Sequence, residues 1–92
     1  MWGVLGLRLY GKLIKERKIM REEVAINEDI NLAFHDKLEK CLVEVSGKLD
    51  CPVPLWLEKN TKEFVSYRKT FFTSEQFMEK VWFDKLEIRI EE

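Results

Sequence analysis

An α+β domain is the fold class this sequence predicts: a small antiparallel sheet of three or four strands, with one main amphipathic helix packed on one face and short helices before a C-terminal strand. Three observations predict it. Apolar residues alternate along 4–14 and 18–26. They then recur at steps of three and four from Phe34 to Leu49. Alternation returns over 82–90.

The first segment, VLGLRLYGKLI, places Leu5, Leu7 and Leu9 on one face. Gly6 and Gly11 interrupt it and mark a bulge or a close backbone approach. In KIMREEVAI, Met20, Val24 and Ile26 share one side, and Arg21 and Glu23 the other. The link Lys15-Glu16-Arg17 lacks the Asn-Gly pair that favours a tight hairpin. Two strands so near in sequence still pair most readily with each other.

The helix is expected over 29–48, capped by Asp29 or Asn27. Phe34, Leu38, Cys41, Leu42, Val45 and Leu49 make its apolar stripe. Asp36–Lys40 and Glu44–Lys48 supply acid-first i,i+4 pairs on its wet side. Gly47, Pro52 and Pro54 end it. Beyond them the pattern is ambiguous. Leu55 to Leu57 reads as a short helical turn that buries Trp56. Thr61 to Arg68 reads as a helix capped by Thr61, followed by loop, with a strand through Phe64–Phe72 as the alternative. Thr73-Ser74-Glu75-Gln76 is a capping box, so a short helix is expected from Ser74 to about Glu79. In the last segment Trp82, Leu86, Ile88 and Ile90 share a face, opposite Lys85, Glu87 and Arg89. That strand is expected beside the first.

The 92 residues make a single domain, 1–92. Its expected core is Leu7, Leu9, Met20, Val24, Ile26, Phe34, Leu38, Leu42, Val45, Leu86 and Ile88. No apolar run approaches the roughly 20 residues of a bilayer-spanning helix, and the N-terminus lacks a signal-peptide charge pattern. A cytoplasmic location is therefore expected. Two cysteines, Cys41 and Cys51, make no disulfide framework and are expected as thiols.

The chain is electrically polarised. Residues 1–21 carry six basic side chains against Glu16, a net of +5. Residues 22–58 carry nine acids against Lys37, Lys40 and Lys48, a net of −6. Arg8, Tyr10 and Lys12 share strand parity, and Lys15, Arg17 and Lys18 continue the basic run. Cations around an aromatic ring suit nucleic-acid or partner contact. The competing reading is that lysines on an edge strand simply prevent aggregation. An overall pI near 5.9 also argues against a dedicated nucleic-acid binder.

Catalytic chemistry finds little support. His35 and Glu39 stand one helical turn apart, but two ligands are not a metal site. A surface histidine beside a glutamate is the simpler account. Cys51 would serve as a nucleophile only with a base or a helix end beside it. Neither the dinucleotide-binding nor the P-loop glycine spacing is present. No cofactor is therefore called. The aromatic residues outnumber what a small core needs, so Phe71, Phe72 and Trp82 are candidate interface residues, with Met1 and Trp2 able to join them. The expected function is a small non-catalytic binding or interaction module, able to self-associate or bind another protein. The alternatives are a nucleic-acid accessory protein using the basic hairpin and a small thiol or ligand-binding enzyme.

Overall fold

The computed structural model describes residues 6–91. Met1, Trp2, Val4 and Leu5, to which the sequence reading assigned roles, lie outside the described residues. The elements are β1 (Leu7–Lys15), β2 (Lys18–Asn27), α1 (Phe34–Lys48), α2 (Glu58–Tyr67), β3 (Lys69–Thr73), a 3-10 turn (Ser74–Gln76) and β4 (Lys85–Glu91). The strands form one antiparallel sheet in the order β2-β1-β4-β3. Both helices lie on one face, α1 over β1 and β2, α2 against β3. The fold is thus α+β with four strands, and the C-terminal strand does pair with the first.

Between sheet and helices lies the core: Leu7, Leu9, Leu13, Ala25, Phe72, Leu86, Ile88 and Ile90 from the strands, and Cys41, Leu42, Val45, Leu49 and Phe64 from the helical side. Leu38 packs partly buried against it. Three expected core residues belong elsewhere. Met20, Ile26 and Phe34 are each about half exposed, at 49%, 50% and 46%. Val24 is only partly buried, while Ala25 is fully enclosed.

A single bulge explains the β2 errors. At the turn, Lys15 faces Lys18 and Ile14 faces Ile19. The register then slips, so that Leu13 faces Arg21 and Leu9 faces Ala25. Met20 is the extra residue. A one-residue slip exchanges the two faces of everything beyond it. Without it, Leu13, Leu9 and Leu7 would sit opposite Met20, Val24 and Ile26, which is the simple alternation of the sequence. The slip brings small Ala25 to the helical side. Gly11 lies on that side too, and a Cβ there would meet Leu49 Cδ1 at 3.0 Å and Val45 Cγ2 at 3.1 Å. Gly11 and Ala25 together let α1 approach the sheet closely.

α1 begins five residues later than expected. Asn27 and Asp29 do not cap it. They make successive side-chain turns instead, Asn27 Oδ1 accepting from the Asp29 amide and Asp29 Oδ1 from the Asn31 amide, each at 2.9 Å. Ala33 holds the N-cap position without a side-chain bond. Gly47 stays helical, and the helix ends through left-handed Asp50 (φ 59°). There the Cys51 amide donates to Ser46 O at 3.0 Å and the Asp50 amide to Gly47 O at 3.1 Å, a Schellman closure.

The ambiguous stretch resolves into helix and strand together. Residues 51–57 contain no helical turn, but Trp56 does pack inward, 5.5 Å from both Phe64 and Phe72. α2 starts at Glu58 rather than Thr61, and Thr61 Oγ1 accepts the Trp56 indole N–H at 2.7 Å. Arg68 (φ 61°) then turns the chain into β3. A buried amide organises this region. Asn60 Oδ1 accepts from the Leu57 amide and Gln76 Nε2, both at 2.9 Å. Its Nδ2 donates to Thr70 Oγ1 and Phe71 O, both at 2.8 Å. Gln76 also reaches back to the Thr73 amide at 3.1 Å, as half of the expected box, but the helix stops after one 3-10 turn. Trp82 precedes β4 rather than belonging to it.

Candidate binding surfaces

The cations and aromatics of the sequence distribute over three surfaces. The first is the sheet face opposite the helices. Arg8, Tyr10 and Lys12 do project there together, as their parity requires. The register also brings acids to them. Arg8 faces Glu91 on β4, and Lys12 lies between Glu22 on β2 and Glu87 on β4. Tyr10 is covered by Arg89, whose guanidinium carbon sits 4.7 Å from the ring centroid. Arg89 Nη1 in turn bonds Glu91 Oε2 at 2.7 Å. That bond holds the Glu91 carboxyl below its ordinary pKa and raises Arg89 above its own. Much of this face is therefore satisfied within the fold, and the ring of Tyr10 already has a cation stacked on it.

The second surface is the tip of the β1–β2 hairpin. Glu16 (φ 51°) and Arg17 (φ 68°) are both left-handed, which side chains other than glycine adopt at a cost. The turn is anchored by Asp84. Its Oδ2 accepts the Glu16 amide at 2.7 Å, and its own amide donates to Ile14 O at 2.9 Å. Lys15, Arg17 and Lys18 stand around this tip.

The third surface was not legible in the sequence. A groove of about 330 Å³ runs between α1 and α2, with Phe34, Leu38 and Leu42 on one wall and Phe64 and Val65 on the other. Trp56 also lines it. An adjoining hollow of about 240 Å³ shares Phe34, Phe64 and Val65 and reaches Ile90 and Arg68. His35 and Glu39 stand at the first hollow, as residues of an apolar groove rather than of a metal site. Among the described residues no group of three His, Cys, Asp or Glu side chains could hold a metal ion. The sequence signal was half visible: Phe34 and Leu38 were seen as a stripe and Thr61 to Arg68 as a helix, but nothing local said that the two would flank one groove.

The candidate interface aromatics separate. Phe72 is completely buried and cannot meet a partner. Phe71 lies on the open sheet face under Lys85, whose Nζ is 4.5 Å from its centroid. Trp82 is half exposed beside Phe83. These three do not form one patch. The thiols are equally dispersed. Burial pushes Cys41 up, helped by Glu44. Burial also raises Cys51, against the lowering effect of the Ser46 hydroxyl. Neither is set up as a thiolate.

Both sheet edges carry obstacles to further strand pairing. β2 has its bulge, and Lys48 Nζ donates to Val24 O at 2.8 Å. On β3, Phe71 O is taken by Asn60. Such features weigh against self-association by sheet extension. Among the described residues no helix is long and apolar enough to cross a membrane.

No protein-family model, curated protein or solved structure matches this chain.

Proposed function

We propose that this protein is a non-catalytic binding module that receives the apolar face of an amphipathic partner helix in the groove between α1 and α2. The observation that carries this reading is the pair of adjoining apolar hollows sharing Phe34, Phe64 and Val65. Two adjoining hollows accept two successive anchors of a helix, which recur at three- and four-residue spacing. Val65 is 76% exposed on the rim, where a free apolar side chain gains most from being covered. Polar His35, Glu39 and Arg68 at the margins fit the polar flanks of such a ligand. The plugged strand edges favour this groove over sheet extension as the route to a partner.

The test is a titration of the protein with designed Leu/Lys amphipathic helical peptides, read by amide chemical shifts. Shifts concentrated at Phe34, Leu38, Leu42, Trp56, Phe64 and Val65, and removed by Val65→Glu, support the reading. Absence of shifts, or shifts that ignore the groove, would overturn it. Light scattering on the same samples reports whether a second copy of the chain is the occupant instead.

A further inference from the structure

We propose that the tip of the β1–β2 hairpin is a phosphate-backbone contact for double-stranded nucleic acid, formed by Lys15, Arg17, Lys18 and Arg21. The argument starts from register. Leu13 is buried on the helical side of β1, so its partner Arg21 and its i+2 neighbour Lys15 project to that side. Lys18 faces Lys15 directly and joins them. Three cations are thereby gathered on one side of the hairpin, with Arg17 at its apex. Among the described residues none of the four makes an ion pair. The acids on that side are Glu23, which faces Gly11 two residues beyond Arg21, and Asp50, which, like Arg21, acts electrostatically on Cys51. Glu16 and Asp84 lie toward the open sheet face, in a hollow that Arg17 shares with Ile14, Phe71, Lys85 and Glu87. There the Asp84 carboxylate is already engaged by the Glu16 amide.

The local sequence gives up stability to place this charge. Like charges directly opposite on paired strands repel. A two-residue hairpin turn with both central residues at positive φ is best served by Asn-Gly, yet Glu16 and Arg17 occupy it. Protection of the edge would need neither feature, because the bulge at Met20 and the Lys48 contact already supply it.

Position in the molecule adds to this. The protein is elongated, 41 Å in its longest dimension. β2 runs from Lys18 at the tip to Asn27, roughly 30 Å away for nine steps of an extended strand. Acidic Glu28 and Asp29 follow at that far end. Opposite charges are thus separated along β2, so a polyanion is drawn to the tip and repelled from the other end. Among the four candidate contact residues none is aromatic. Phe71, which shares the hollow with Glu16 and Arg17, already has Lys85 Nζ 4.5 Å from its ring centroid, so stacking on unpaired bases has no free platform among these residues, and the backbone of a duplex is the form of nucleic acid that suits the tip.

The experiment is fluorescence anisotropy with a labelled, mixed-sequence DNA duplex, compared with vesicles of phosphatidylserine and phosphatidylcholine. Four phosphate contacts give a log K against log salt slope of roughly −3 to −4, so affinity should fall about 100-fold between about 50 and 200 mM salt. Lys15→Gln, Lys18→Gln and Arg21→Gln together should weaken duplex binding at least tenfold and flatten the slope. The same triple variant should melt no lower than the parent, since it relieves the Lys15–Lys18 repulsion. Val65→Glu, which disables the helix groove, should leave duplex binding unchanged. Failure to bind the duplex at low salt, binding that survives the triple substitution, or preference for the vesicles would each overturn the proposal.

Discussion

Asn60→Ala tests the element that decides how residues 55–76 fold. Asn60 is fully buried, and its amide satisfies all four of its hydrogen-bonding positions. Truncation removes four bonds. Gln76 Nε2 retains Leu55 O at 3.0 Å, and Thr70 Oγ1 retains Glu63 Oε1 at 2.6 Å. The Leu57 amide and Phe71 O lose the bonds that Asn60 provides. At about 1 kcal/mol net per bond, with two partners retaining other contacts, the cost is about 3 kcal/mol. For a domain of this size that lowers Tm by roughly 12–24 °C. Urea unfolding followed by circular dichroism gives the free energy directly. Asn60→Asp provides a second reading. It keeps the two acceptor contacts but sets a carboxylate oxygen against Phe71 O and Thr70 Oγ1. It should therefore be worse than alanine at neutral pH and recover partly on acidification. A cost below about 1 kcal/mol for Asn60→Ala would refute the view that this amide organises α2 and β3.

Other outcomes follow from local geometry. Gly11→Ala should cost about 1–3 kcal/mol by denaturation, because its methyl group meets Leu49 and Val45 at 3.0–3.1 Å beneath α1. Alkylation at neutral pH should be slower for both cysteines than for a free thiol, with Cys41, 1% exposed, protected until the protein unfolds. The Glu91 carboxyl should titrate below the ordinary glutamate range by NMR, and Arg89→Ala should restore it. Its folded pKa is depressed, so the stabilisation from this pair is present above the unfolded pKa and is lost as pH falls through the folded one.

Periodicity read the hairpin, the C-terminal strand and the helical stripe because each is a local property of the chain. What it misread depends on interactions between segments. Met20, Val24 and Ile26 alternate as a core strand should, yet one inserted residue reverses their face, and no Gly or Pro marks the insertion. Arg68 turns a helix into a strand from a left-handed position where glycine would have announced the break. Asn27 and Asp29 have the right chemistry for a cap but use it in turns among themselves. The groove needed α2, whose start is set by Asn60 folding back on Leu57 and by Trp56 reaching Thr61. The grouping of Arg8, Tyr10 and Lys12 was legible from parity alone. The acids Glu22, Glu87 and Glu91 set opposite or beside them were not, because that placement depends on which strands become neighbours.

The strand order has a consequence for how the molecule is made. β1 and β4 are the two central strands, and Leu9 pairs with Ile90. The middle of the sheet is therefore assembled from the most distant parts of the described chain. Such closure costs chain entropy before its contacts form, which slows folding relative to a structure built from neighbours. During synthesis the β1–β2 hairpin can form early, but one side of β1 stays unpaired until residues 85–91 have left the ribosome. Until then Leu7, Leu9 and Leu13 lack their neighbours on β4. β4, made after the other three strands of this sheet, thus closes the core, and a chain truncated before it should be held as an incomplete, association-prone species rather than as a smaller domain.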